Sequence, residues 1–165
     1  MDPALQKAID SLQIQDVALR ASVAELSEGF EPRYAFEADP LRIEFKHGVV
    51  RTLVIELSDG LDAEQQLFRV FIELGARWVA VGSQDSASEP DVRARIECVM
   101  TADYVMREHP GDEALKAFSM CNASYHLWPY WREFLASQCQ RMNLPKVTLP
   151  AVQFAANPGH AADAS

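Results

Sequence analysis

Cysteine, glycine and basic side chains are scarce in this sequence, and each shortage excludes something. There are three cysteines, Cys98, Cys121 and Cys139, an odd number with no C-x-x-C spacing. They form neither a disulfide framework nor a thiolate zinc site, and they suit a reducing cytosol in which they act as small core residues. None of the seven glycines belongs to a G-x-x-x-x-G-K-[ST] phosphate loop or a G-x-S-x-G nucleophile turn. Fifteen basic residues face 24 acids, for a formal net charge of −9. A nucleic-acid binder needs basic surface to displace counterions from phosphates, and an anionic lipid surface asks for the same sign of charge. No apolar run approaches the 18 or more residues of a membrane-spanning helix. The start, Met1-Asp2-Pro3-Ala4-Leu5-Gln6-Lys7, lacks the basic and apolar regions of a secretory signal, so a cytoplasmic location is expected. None of the four histidines stands three or four residues from another histidine or a cysteine. No metal and no cofactor are expected, and no catalytic residue is assigned. Cys121 and His126 are near one another, but they sit in an apolar helical segment and read as packing.

What remains is a chain of 165 residues, enough for one domain with a substantial core. Residues 1–13 read as a weakly helical, flexible lead. Leu12, Leu19, Val23 and Leu26 would suit a helix, but over Ile14 to Leu26 the alternation of Val17, Leu19, Ala21 and Val23 with Ala18, Arg20 and Ser22 is cleaner and favours a strand. After a loop bearing Phe30, Tyr34 and Phe36, Pro40 opens an extended stretch to Leu57, with a bulge or turn signal at His47-Gly48 and a turn at Ser58-Asp59-Gly60. Phe68, Val70, Ile72, Leu74, Ala76 and Trp78 then alternate with Arg69, Glu73 and Arg77. Val92 to Tyr104 repeats this, with Ile96, Cys98 and Met100 on one face and Arg95 and Glu97 on the other. After Pro110-Gly111 the period lengthens to three or four, from an Asp112 N-cap to Met142, with Pro129 inside as a kink or restart. Strands first and helix last predict an α+β domain over residues 14–154: a four-stranded antiparallel sheet with a long Pro-kinked helix on one face. Residues 155–165 read as a disordered tail.

The segment Tyr125–Leu135 is apolar around nearly its whole circumference. One sheet covers only one side of a helix, so the remaining side predicts self-association or a ligand.

The run Pro129-Tyr130-Trp131-Arg132-Glu133, followed by Asn143-Leu144-Pro145-Lys146-Val147-Thr148-Leu149-Pro150-Ala151-Val152-Gln153-Phe154, resembles the SecB protein-export chaperones. Ile14-Gln15, Pro40 and Arg95-Ile96-Glu97-Cys98 fall where that family has its first strand, the end of its crossover loop and its last strand. The resemblance implies an ATP-independent holdase for unfolded polypeptides, serving export through the SecA motor and assembled as a homotetramer, a dimer of dimers. It implies client contacts at Phe30, Tyr34, Phe36, Leu149, Val152 and Phe154, and a SecA contact through Glu25 and Glu97. It further implies subunit contacts through Ile96, Cys98, Met100, Trp128, Trp131 and Leu135. Two departures stand out. Ala38-Asp39 replaces the tryptophan often found before the crossover proline, and Ala155–Ser165 replaces the family's second helix. SecB-like chaperones also serve antitoxins of toxin–antitoxin systems, and a shortened member fits that role as an alternative. A small-molecule-binding α+β domain is a second alternative, disfavoured because no convergent polar set accompanies the apolar residues.

Overall fold

The computed structural model describes residues 2–35, 40–58, 64–83 and 89–149. Four strands, β1 (Leu12–Leu26), β2 (Leu41–Ser58), β3 (Glu64–Ala80) and β4 (Val92–Met106), form one antiparallel sheet in the order β1-β4-β3-β2. Period-two alternation sends Phe68, Val70, Ile72, Leu74, Ala76 and Trp78 of β3 to one side. They lie opposite Tyr104, Ala102, Met100, Cys98, Ile96 and Ala94 of β4 and share a single buried core with them. Burying a large side chain of this kind contributes roughly 1.5–3 kcal/mol, so the two central strands supply much of the driving force. The predicted antiparallel sheet and α+β class are therefore present.

β1 and β2 occupy opposite edges, so the chain changes edge between Leu26 and Leu41. The crossing begins with a tight turn, in which the Phe30 amide donates to the Ser27 carbonyl (3.1 Å) and Gly29 takes φ +79°. Positive φ at that point suits a residue without Cβ. The short helix α2 (Pro32–Ala35) follows. The bulge of β2 lies between Val49 and Arg51, two residues beyond the His47-Gly48 signal, and His47 and Gly48 stay in register with Leu74 and Glu73. Beyond Ser58, the predicted turn falls outside the described residues.

The helical layer departs from the expected single helix. Helix α3 (Asp112–Cys121) ends at Asn122, and α4 (Ala123–Arg141) restarts immediately after it. The break is at Asn122, which has φ −105° and ψ −35°, and not at Pro129. Pro129 and Tyr125 both lie on the exposed side of α4, so water can satisfy the Tyr125 carbonyl that a proline at i+4 leaves free. The N-cap of α3 is Gly111, at φ +101°, with Asp112 as the first helical residue instead of the cap. Residues expected to form a flexible lead include α1 (Pro3–Ser11), whose Asp2 side chain accepts from the Ala4 amide at 2.9 Å. Its Ala8 and Ser11 are buried, and the helix packs against α3.

Candidate polypeptide-binding site

Helices α3 and α4 lie on the same side of the sheet as the β3–β4 core, and polar contacts fix them there. The Tyr104 hydroxyl is 2.9 Å from His126 Nδ1, its ring meets Phe118 edge-on at 4.8 Å, and His47 Nε2 is 2.6 Å from the Ser124 hydroxyl. Burial pushes the Tyr104 phenol above its usual range and the His47 and His126 imidazoles below theirs.

This layer covers the two central strands and leaves helix-side residues of both edge strands in solvent. On β1, Ile14, Leu19 and Leu26 point to the helix side, opposite Tyr104, Met100 and Ala94, yet all are exposed, Leu19 at 50%. On β2, Ile43, Phe45 and Val54 do the same opposite Trp78, Ala76 and Phe68, with Phe45 at 53%. The result is two apolar strips, one along each flank of the helical layer. Neither was singled out in the sequence. Alternation reveals which residues share a face, but not how far along that face the helices reach.

Of the expected client contacts, Tyr34 is exposed (79%). Phe30 and Leu149 are buried in the chain's own core and offer no surface to a client. The turn at Gly29 folds the Phe30 ring inward, and Leu149, like Leu144, packs into the same core. Phe36, Val152 and Phe154 lie outside the described residues. Ile96, Cys98 and Met100, expected at a subunit contact, are instead core residues beneath this chain's own helices. Trp131 and Leu135 are core residues too, on the stripe Leu127–Trp131–Leu135–Cys139 that faces the sheet. Trp128 is partly buried against that core, and the outward aromatics of α4 are Tyr125 and Tyr130.

Glu25 and Glu97, expected as SecA contacts, lie on the opposite, helix-free side of the sheet and are both ion-paired. Arg95 binds Glu25, and Glu97 takes Lys46 at 3.2 Å and Arg95 at 3.8 Å. Burial pulls the Lys46 ammonium down, but the hydrogen bonds it donates to Glu73 and Glu97 outweigh that and hold the pKa above normal. Glu44 on the same side is held below the usual carboxylate range by hydrogen bonds from Arg42 and Arg77. Asp103 makes a two-pronged pair with Arg69 at 2.6 and 2.7 Å.

No family model and no curated protein sequence matches the chain. A solved structure does: the Mycobacterium tuberculosis SecB-like chaperone in complex with a ChAD peptide from the HigA1 antitoxin. The two superpose with a TM-score of 0.59 over 90% of this chain and 96% of that one, at 19% identity. The fold is that of the SecB-like chaperones. The expected resemblance is thus present at the level of architecture. In this SecB-like fold the apolar strips flank α3 and α4, and the charged ladder occupies the other side of the sheet.

Proposed function

We propose that the chain is an ATP-independent holdase that keeps unfolded polypeptide segments in solution by covering them with the strips along β1 and β2. The observation that carries this reading is the exposure of Leu19, Ile14, Phe45 and Ile43 beside a helical layer that could have covered them. Contact there removes apolar surface from water at about 25 cal/mol per Å², without selecting a sequence. The peptide-bound SecB-like neighbour supports a polypeptide as the partner.

Within this reading, a dedicated antitoxin client is better supported than general export, because the neighbour's peptide comes from an antitoxin. Delivery to SecA rests on Glu25 and Glu97 alone, and both are already engaged by cations of the same chain. The reading places the protein in the cytosol, where free thiols persist. It also includes a homotetramer built through the outward aromatics Tyr125 and Tyr130, with the partly buried Trp128 beside them. Light scattering coupled to sizing should return about four times 18.4 kDa.

The test is aggregation of a chemically unfolded model protein diluted into buffer without nucleotide, followed by light scattering. The wild-type chain should suppress scattering at near-stoichiometric ratios. The Leu19→Ser/Phe45→Ser pair, at exposed positions where substitutions cost within about 0.5 kcal/mol each, should lose most of that effect while remaining folded. No suppression by the wild type, or equal suppression by the folded variant, would remove the proposal.

A further inference from the structure

The helix-free side of the sheet contrasts electrostatically with the rest of this acidic chain. The strand register places eight basic side chains there: Arg20, Arg42, Lys46, Arg51, Arg69, Arg77, Arg93 and Arg95. Six acids share it: Asp16, Glu25, Glu44, Glu73, Glu97 and Asp103. With Asp91, which Arg93 holds at 2.9 Å, the acids number seven against eight bases, so this side is close to neutral on a chain whose net charge is −9. Six of the eight cations have a carboxylate within ion-pair distance. Arg20 and Arg51 have none among the described residues.

These two start on opposite edges of the sheet, Arg20 on β1 and Arg51 on β2, and reach inward to the same ring. The Arg51 guanidinium lies 4.1 Å from the Phe71 centroid, and that of Arg20 lies 6.0 Å from it. Phe71 is buried although no helix covers this side. A guanidinium over an aromatic face gains cation–π attraction and keeps its in-plane N–H donors free. Two guanidinium groups thus approach one ring from opposite edges, and neither has an ion-pair partner among the described residues.

We infer that the sheet face centred on Phe71 docks an acidic polypeptide segment, whose carboxylates are taken by the guanidinium forks of Arg20 and Arg51. The six carboxylates around the site disfavour a continuous polyanion such as nucleic acid and suit a chain with separately placed acids. A second copy docked here by its acidic outer surface would use two different faces, a head-to-tail contact that gives a ring or a filament and not a two-fold dimer. At physiological salt the Debye length is about 8 Å, so the local pair and not the net charge governs contact. The inference does not rest on the holdase reading, because the apolar strips lie on the other side of the sheet.

The experiment is fluorescence anisotropy of labelled deca-glutamate, deca-lysine and an oligo-dT strand titrated with the full chain at 150 mM salt. Deca-glutamate has no apolar side chain, so the strips contribute nothing to its binding. It should bind in preference to the other two, and the Arg20→Gln/Arg51→Gln pair should weaken it at least tenfold with an unchanged circular dichroism spectrum. If the pair fails to fold, Arg20→Gln alone, exposed on an edge strand, should still weaken binding severalfold. The inference is overturned by no deca-glutamate binding at 1 mM chain, by equal binding to the folded variant, or by oligo-dT binding as tightly as the peptide.

Discussion

Lys46 and Glu97 belong to strands separated by a third, yet the ammonium sits 3.2 Å from the carboxylate. The residue between them is Gly75, paired with Lys46 on one side and Glu97 on the other. A Cβ at that position would come within 2.8 Å of the Lys46 stem and 3.2 Å of Glu97. Glycine leaves the channel through which lysine crosses the sheet. Here Gly75 matters for close approach and not for backbone freedom.

Glu97 is therefore not a free surface acid. Exposed ion pairs contribute about 0.2–1 kcal/mol each, and Glu97 sits between two cations. Glu97→Gln should cost about 0.5–1 kcal/mol, and Glu97→Lys roughly twice that, because it sets three cations together. Gly75→Val should give a loss like that of Glu97→Gln or larger, and Glu97→Gln should then add little to it. Urea melts of the single and double variants decide this. A neutral Glu97→Lys would mean that the charge ladder contributes nothing to stability.

Trp131 is 1% exposed and stands in the middle of the α4 stripe that meets the sheet. Trp131→Ala should cost roughly 3–5 kcal/mol, the range for removing a buried aromatic. Tyr130→Ala, one residue away on the outer side, should change monomer stability by no more than about 0.5 kcal/mol. Denaturant midpoints at low protein concentration compare the two. Similar losses would show that the outer side of α4 is packed as tightly as the inner.

Desolvation lowers the pKa of both His47 and His126 below the reference 6.5. Above that value both states are neutral and nothing is lost. As pH falls below 6.5 the unfolded chain binds protons that the folded chain resists, so stability falls with pH. The urea midpoint should be lower at pH 5.5 than at pH 7.5, and His47→Asn/His126→Asn should narrow the difference. An unchanged difference in the double variant would assign the pH dependence to other groups.

The thiols should divide by environment. Burial pushes Cys98 up to about 12 and Cys139 up to about 11, whereas Cys121 is only half-buried at the end of α3. Thiolate is the reactive form. A disulfide reagent at pH 8 should titrate one thiol quickly in the folded protein and all three in denaturant. Cys121→Ser should abolish the fast phase. Any fast phase that remains in that variant would place Cys98 or Cys139 within reach of solvent.

The four strands were legible because their alternation is a local property. A side chain facing the core at Phe68 must face it again at Val70, whatever lies elsewhere. The pattern likewise placed Arg69, Glu73, Arg77, Arg95 and Glu97 on the side away from the core. Helical period and Pro110-Gly111 marked the change to the helical layer, but the break at Asn122 was not marked, because that asparagine keeps near-helical dihedrals and carries no breaker. The strand order β1-β4-β3-β2 made β1 and β2 edges, and helix length and position decided how much of each stayed uncovered. Ile96, Cys98 and Met100 illustrate the division. Alternation alone puts them on one apolar face. That α3 and α4 of the same chain fill that face, whereas Leu19 and Phe45, equally apolar and on the same side, are left to water, follows from how distant segments pack. Coverage depends on contacts between residues distant in the chain, and no local period records them.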